Sequence, residues 1–233
     1  FDQLKDKTST VKRRMIFAVL ASLSKSYLKW DLFSYVEAQQ FMRSSLQFLQ
    51  EVAKEARKLN SLKKQLSRNK EFLDRLLGET LGLKRLSPLL VIDLYSAGVR
   101  ALEQGRLNDA VTRFYRSTEA AAQYRLLKRY GIDVAAVDSA RIESKVLERF
   151  RSLAGFDLPQ HLACFESYLL LKVLEDEFGR SVPEEELRHI MFIRNYSILA
   201  HGFRTTAIGE IQSLEKKVNE IIGRLFLMED IDF

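Results

Sequence analysis

Residues 161–178 of the chain read HLACFESYLLLKVLEDEF, and this stretch decides the fold class. Five of the six residues from Leu169 to Leu174 are apolar, whereas a half-exposed strand would alternate apolar and polar residues. A segment of this length and composition is typical of a helix that is buried on most sides. We therefore predict a core helix from His161 to Phe178, introduced by Leu158-Pro159 and ended by Gly179.

The rest of the chain favours the same class. Only three prolines and ten glycines occur in 233 residues, and no segment alternates apolar and polar residues for long. Hydrophobic residues make up 46% of the chain, which is enough for one large helical domain or two small ones with real cores. The sequence therefore predicts an all-α helical bundle.

A domain boundary is predicted where two helices are separated by a glycine-containing connection. Residues 78–87 form this connection, and Ser87 followed by Pro88 is a favourable N-cap with proline at the first helical position. We divide the chain into a helical N-terminal or linker region, residues 1–87, and a second domain, residues 88–233.

The second domain is predicted to begin with a helical hairpin. Its first helix ends near Gly105, and Asn108 caps the second, which runs to Tyr130 with Gly131 as its C′ residue.

The N-terminal region is predicted to hold a helix from Ser9 to Lys29 and a longer helical tract from Tyr35 to Leu77. Leucines keep a near-heptad seam along the middle of this tract, where lysines and arginines are also frequent. A solvated charged face over packed leucines explains this pattern. A contact with RNA or a protein partner stays open as the alternative.

An arginine and a histidine are set seven residues apart near the C-terminus, in the stretch Arg194-Asn195-Tyr196-Ser197-Ile198-Leu199-Ala200-His201. Ser181-Val182-Pro183-Glu184 reads as a capping box that opens a helix ending at His201, with Gly202 as its C′ residue. Seven helical residues return to within about 20° of the start, so Arg194 and His201 would share one face. The helix macrodipole would then favour an imidazolium in the last turn. The spacing alone is a common pattern in a basic chain.

The stretch resembles the R-x(4 to 6)-H signature of HEPN ribonucleases. The upstream run from Asn108 to Glu119, with Tyr130-Gly131-Ile132-Asp133 after it, is similar to a HEPN helix of the CRISPR-associated CARF–HEPN family of type III systems. The resemblance covers roughly residues 88–233. It implies a HEPN-like C-terminal domain, and in this family a Rossmann-like sensor domain precedes a helical region. Because the chain starts at Phe1 without an initiator methionine, we expect such a domain upstream.

The resemblance implies a metal-independent endoribonuclease that cleaves single-stranded RNA in antiviral defence. The substrate's own 2′-hydroxyl is the nucleophile, so Arg194 would stabilise the phosphate and His201 would move protons, while Asn195 orients one of these groups. No cofactor is expected, and DNA should not be cleaved. A cyclic oligoadenylate activator is expected to act only through the sensor domain, because this chain lacks a glycine-rich strand-turn-helix signal.

Further candidates for substrate binding lie near the motif in the resembled family. Arg113, Arg116 and Glu119 share a face at three-residue steps, and an ordinary row of surface salt bridges is the alternative. Glu119 could pair with Arg194 or with Arg116. Tyr196 could stack on a base, although a core position is the simpler interpretation of an aromatic residue there.

Composition and the resemblance together indicate which partners and which cellular setting to expect. The net charge of +6 and the pI near 9.3 suit a polyanionic partner. No apolar run reaches the roughly 18 residues of a membrane span, and the single Cys164 suits a buried position in a reducing, cytoplasmic setting. The resemblance implies a homodimer with one composite site. A non-catalytic helical scaffold and a toxin-like HEPN nuclease with an antitoxin remain the alternatives.

Overall fold

The computed structural model describes residues 2–53, 60–82, 86–197 and 207–229, and every regular element among them is helical. The predicted all-α fold is confirmed. The chain separates into two compact units, Phe1–Gly82 and Leu83–Phe233. The predicted boundary, between residues 87 and 88, lies five residues after the end of the first unit.

The N-terminal unit consists of three helices: α1 (Asp2–Asp31), α2 (Tyr35–Ala53) and α3 (Asn60–Gly82). Two buried serines join α1 to α2, because Ser22 Oγ donates to the Phe41 carbonyl at 3.0 Å and Ser26 Oγ to the Ala38 carbonyl at 2.7 Å. Trp30 stacks on Phe72 of α3 at 5.6 Å between ring centroids. The shared core contains Val19, Ala38, Met42, Leu46, Leu49, Leu66 and Leu73.

The C-terminal unit contains seven further α-helices and a short 3-10 helix at Ser139–Arg141 among its described residues. The α-helices are α4 (Pro88–Glu103), α5 (Leu107–Tyr130), α6 (Ser144–Ala154), α7 (Cys164–Val173), α8 (Glu177–Ser181), α9 (Glu184–Tyr196) and α10 (Ile208–Glu229).

Helix α5 lies at the centre of this unit and contacts α4, α7, α9 and α10. Buried hydroxyl groups accompany its apolar contacts: Ser117 Oγ donates to the Val91 carbonyl of α4 at 2.8 Å, and Tyr168 of α7 donates to the Thr118 carbonyl at 2.9 Å. Because α5 is surrounded, several of its small and polar residues are fully buried, including Ser117 and Thr118.

Helices α4 and α5 approach closely at Gly98. A Cβ atom at this position would lie 2.6 Å from two ring carbons of Phe114, well inside van der Waals contact. The absence of a side chain is therefore what lets the Phe114 ring lie against the α4 backbone.

A buried ion cluster joins α5 to α8 and α10. Arg125 is only 7% exposed; its Nε atom donates to Asp176 Oδ2 at 2.8 Å, and its Nη1 atom donates to Glu229. Asp176 also accepts from the Tyr130 hydroxyl at 3.0 Å and, as the N-cap of α8, from the Gly179 backbone nitrogen at 3.1 Å. Such charges are tolerated inside a protein only when each is paired.

Several predicted helix boundaries are confirmed. Ser87 is the N-cap of α4 and accepts a hydrogen bond from the Leu90 nitrogen, and Gly131 closes α5 in the left-handed conformation with φ 65°. Cys164 is buried, as predicted.

Other predicted boundaries are wrong. Asn108 does not cap α5, which already begins at Leu107 behind Arg106. The helix predicted for residues 161–178 begins at Cys164 and is interrupted after Val173, where Glu175 adopts φ 63°. The capping box at Ser181 does not form, because Ser181 is the last residue of α8 and its hydroxyl donates to Phe178.

We predict that Arg125→Met destabilises the C-terminal unit by about 3 kcal/mol, because Asp176 and Glu229 would stay buried without their main partner. Urea unfolding followed by circular dichroism measures this change. Fluorescence of Trp30, the only tryptophan, reports the N-terminal unit and should change little. The matched control is Arg141→Met, because Arg141 pairs with Asp138 at the surface and is 86% exposed. An Arg125 variant as stable as this control would contradict the role of the cluster.

We also predict a loss of stability in acid that depends on Glu229. Burial alone would raise the pKa of Glu229, but hydrogen bonds from Lys128 and Arg125 outweigh burial and lower it below its usual 4.5. A carboxylate with a lowered pKa stabilises the fold above about pH 4.5, and this contribution is lost as the pH falls through the native pKa. Urea unfolding between pH 3 and 7 should therefore show a shallower acid slope for Glu229→Gln than for the parent chain.

Candidate functional site

The candidate site lies where the C-terminal end of α9 meets α5. The guanidinium carbon of Arg194 on α9 is 5.0 Å from the centroid of the Tyr115 ring on α5, and Arg194 Nη1 donates to Asn195 Oδ1 at 2.9 Å. No carboxylate contacts this guanidinium among the residues that the structure describes. An aromatic face and a neutral amide fix the group without neutralising its charge.

Helix α9 ends earlier than predicted, which corrects the geometry of the Arg194–His201 pair. Its last residue is Tyr196, and Ser197 follows with an extended backbone at ψ 150°. The Ser197 hydroxyl donates to the Arg194 carbonyl at 2.7 Å and the Ser197 nitrogen donates to the same oxygen at 3.2 Å. The helix predicted to reach His201 therefore ends five residues earlier, at Tyr196. His201 and Gly202 lie outside the described residues.

Tyr115 was not predicted as a site residue, although it lies within the run that carries the family resemblance. Burial, with the nearby Cys164 thiol and Glu119 carboxylate, raises the pKa of the Tyr115 hydroxyl above its usual 10.0. The phenol is therefore neutral at physiological pH. Its ring face lies against the Arg194 guanidinium.

The charged residues predicted on α5 divide into two groups. Arg113 is buried, and its Nε atom donates to Asp109 at 2.9 Å, so the structure does not bring it to the surface beside Arg194. Arg116 is 41% exposed and donates to Glu119 at 3.0 Å and to Gln123 at 2.9 Å. Of the two partners considered for Glu119, Arg116 is therefore the one it contacts.

Tyr196 lies at the surface, so its interpretation as a core aromatic residue is wrong. It is 54% exposed and contacts Phe192, one helical turn earlier and 47% exposed, with 4.4 Å between the ring centroids. The two rings form an exposed aromatic pair on the helix that carries Arg194. Asn195, between Arg194 and Tyr196, is also exposed.

Cys164 and Glu166 lie at the start of α7, within electrostatic reach of the Arg116–Glu119 pair. Burial, together with the charges of Glu119 and Glu166, raises the pKa of the Cys164 thiol well above its usual value, so the thiol stays protonated. The Oε2 atom of Glu166 is buried and has no hydrogen-bond partner within the described ranges. No sequence pattern singled out Glu166, because it follows Phe165 in a segment that reads as plain core.

The described residues include two of the three histidines, and neither is placed to act with Arg194. His161 is exposed before α7 begins. His189 lies on α9, but five residues from Arg194 correspond to about 140° around the helix. Burial and the charge of Lys217 lower the pKa of His189, which favours its neutral form. In the part of the chain that the structure describes, no group of three or more His, Cys, Asp or Glu side chains could hold a metal ion.

Comparison with known families decides the identity of the C-terminal unit. A family model described as the Csm6 HEPN domain matches residues 79–224, more than half of the chain. The chain belongs to this family. The match spans α4 to α9 and most of α10, and therefore includes Tyr115, Arg194 and His201.

Membership in the Csm6 HEPN family makes this a CRISPR-associated HEPN-domain protein, and that family consists generally of ribonucleases, which implies an RNA substrate. A search among curated proteins finds no match. Within the described residues, no helix is both long and apolar enough to cross a membrane.

Proposed function

We propose that the chain is a metal-independent endoribonuclease that cleaves single-stranded RNA in CRISPR antiviral defence. The observation that carries this proposal is the state of Arg194 within a HEPN domain: its guanidinium is held by Tyr115 and Asn195 but pairs with no carboxylate of the described residues. The other arginine of α9, Arg188, is instead paired with Glu184 at 2.6 Å. An oriented and unneutralised guanidinium is suited to a phosphate.

Arg194 would bind the non-bridging oxygens of the scissile phosphate. Negative charge increases there as the 2′-hydroxyl of the substrate attacks the phosphorus, so a positioned cation stabilises the transition state more than the ground state. The bond to the 5′-oxygen of the following nucleotide then breaks, and a 2′,3′-cyclic phosphate forms on the upstream product. DNA has no 2′-hydroxyl and would not be cleaved. No metal ion and no cofactor takes part.

His201 would move the protons, as the acid that protonates the 5′-leaving oxygen or the base that accepts the 2′-hydroxyl proton. Its ordinary pKa near 6.5 suits both roles. Asn195 would orient Arg194, a role supported by the 2.9 Å hydrogen bond between the two side chains.

Exposed groups around Arg194 would bind the flanking nucleotides. Tyr196, with Phe192 beside it, offers aromatic rings on which unpaired bases can stack, a common mode of single-strand recognition. Arg116 could bind a neighbouring phosphate, with Glu119 holding its side chain. We leave Arg113 out of the RNA contacts, because it is buried against Asp109.

A homodimer would complete the site. In the resembled family, two copies of the motif form one composite site across a two-fold axis, as isologous contacts require. Exposed apolar residues on α9 and at the start of α10, including Phe192 and Ile208, offer a surface for this contact. A cyclic oligoadenylate would act through a sensor domain, and we expect no binding of it to this chain alone.

Cleavage of a labelled single-stranded RNA in EDTA tests the proposal. We predict cleavage by the parent chain, a loss of about 10²- to 10³-fold in Arg194→Ala and about 10²- to 10⁴-fold in His201→Ala, and no cleavage of DNA of the same sequence. The matched control is Arg188→Ala, because Arg188 also lies on α9 with its guanidinium 4.8 Å from an aromatic ring, that of Phe165. Equal activity in all four proteins would leave a helical scaffold as the better interpretation.

A separate prediction concerns the way in which Arg194 is held. Tyr115→Leu should lower kcat, because the guanidinium loses the ring that orients it, while Tyr115→Phe should keep most of the activity, because the ring face remains. Single-turnover RNA cleavage and thermal unfolding are measured on both variants. If Phe and Leu variants of equal stability lost the same activity, the hydroxyl and not the ring would be the important group.

A further inference from the structure

The first half of helix α3 carries positive charge that the helix itself does not compensate. Between residues 60 and 70 there are four cations and no aspartate or glutamate. One of them, Lys70, is paired with a carboxylate one turn later. The other three form no ion pair with any residue that the structure describes, and they are Lys63, Lys64 and Arg68. Because like charges four residues apart on a helix repel, a bound polyanion would relieve the repulsion between Lys64 and Arg68.

A stack of three aromatic rings lies next to this basic segment. Phe72, one turn after Arg68 on α3, stacks on Trp30 of α1 with 5.6 Å between ring centroids. Trp30 in turn stacks on Tyr27 at 6.2 Å, with only 7° between the two ring planes. The Asn69 side-chain amide donates to the Tyr27 hydroxyl at 2.7 Å and so fixes this ring against α3. We call Tyr27, Trp30 and Phe72 the aromatic stack, and Tyr27, at its end, is 39% exposed.

Cations and rings follow one another along one side of α3. Lys64, Arg68 and Phe72 lie at four-residue steps, each turned by about 40° from the one before, and together they span about 12 Å along the helix axis. Ser61 and Gln65 are exposed beside them and supply neutral hydrogen-bonding groups. Side chains of these kinds are the ones that contact phosphate and sugar in complexes with nucleic acids.

We propose that this side of α3, together with the aromatic stack, binds single-stranded RNA outside the HEPN domain. Lys64 and Arg68 bind phosphates of the strand, and an unpaired base stacks on the exposed Tyr27 ring. A positively charged track combined with aromatic rings is how proteins bind single strands without reading their sequence. The choice of RNA among polyanions rests on the nuclease proposed above, whereas the binding itself needs no cleavage.

Two features favour a nucleic acid over a membrane surface or an acidic protein. Insertion into a membrane surface needs apolar side chains exposed beside the cations. Every large apolar side chain of α3 from Leu62 to Leu77 is instead buried or half-buried. An acidic protein would be attracted by the cations, but it would have no use for parallel rings that end in an exposed one. A single-stranded nucleic acid uses both the cations and the rings.

The test is binding of a labelled single-stranded oligouridylate of about ten nucleotides. It is added in EDTA to the 233-residue chain carrying His201→Ala, so that the RNA stays uncut. Trp30 is the only tryptophan and lies within the aromatic stack, so its fluorescence reports binding in the N-terminal unit. We expect a saturable change in Trp30 emission over the same concentrations at which the anisotropy of the labelled RNA rises.

Charge variants test the phosphate contacts. Lys64→Gln with Arg68→Gln should weaken binding and make the slope of log K against log salt shallower by about 1.4, because a single strand contributes about 0.7 for each phosphate neutralised. The matched control is Lys29→Gln with Arg43→Gln, which removes the same net charge from cations that already pair with carboxylates. This control should leave the slope nearly unchanged.

Ring variants test the stacking contact. Tyr27→Leu should lower the affinity by at least about fivefold at an unchanged salt slope, because it removes a ring and no charge. Tyr27→Phe keeps the ring and should bind RNA nearly as well as the parent residue. Both variants are compared after circular dichroism has shown an unchanged helical spectrum.

An equal loss of slope in the matched control would overturn the proposal, as would RNA binding that leaves Trp30 emission unchanged. A Trp30 response to phosphatidylserine vesicles and not to RNA would assign the surface to a membrane instead. RNA cleavage by the parent chain is measured separately. Absence of binding at α3 with cleavage intact would refute only the RNA surface, and binding detected by Trp30 in a chain that does not cleave would refute only the nuclease.

Discussion

The fold of the C-terminal unit depends on one constraint, which is that the buried Arg125 guanidinium must be paired with carboxylates. A buried cation is tolerated only next to carboxylates, and Asp176 and Glu229 supply them from two other helices. This requirement accounts for the break in the long apolar segment after α7. The turn at Glu175 lets Asp176 both cap α8 and face Arg125, whereas a continuous helix would have no free N-terminus to cap. The central helix, the short α8 and the end of α10 are thereby joined in one arrangement.

Arg194, in the same unit, is not held by carboxylates of the described residues as Arg125 is. Its guanidinium lies against a neutral aromatic ring, and the backbone of its helix stops at the hydrogen bonds that Ser197 makes with the Arg194 carbonyl. Once the helix has ended, the number of residues that follow an arginine no longer has to match a helical period.

Most of the architecture was predictable from the sequence, because periodicity and capping residues act locally. Ser87 with Pro88 and Gly131 signalled helix ends correctly, and the helical class followed from the scarcity of glycine, proline and strand-like alternation. The central position of α5 was not predictable, because its buried residues include Ser117, Thr118 and Arg125 as well as apolar ones, and a hydrophobicity pattern reads such a mixture as half-exposed. The break at Glu175 also escaped prediction, since its cause is a partner for Arg125, 51 residues away in the sequence.

The candidate site, too, could be predicted only in part from the sequence. The motif residues and the run around Tyr115 could be named from the resemblance, but their contacts could not. Whether Glu119 meets Arg116 or Arg194, and whether Arg113 is exposed, depends on how α5 is rotated within the bundle. The exposed position of Tyr196 likewise follows from the rotation of α9, which turns Tyr196 and Phe192 outward together.

The contact between Gly98 and the Phe114 ring has a consequence for how this domain can change over time. Any residue larger than glycine at position 98 would collide with the ring, and any residue smaller than phenylalanine at position 114 would leave a void against bare backbone. A substitution at either position alone would therefore lower the stability of the domain. Substitutions that do become fixed are expected to occur at both positions as a compensating pair, so that positions 98 and 114 coevolve.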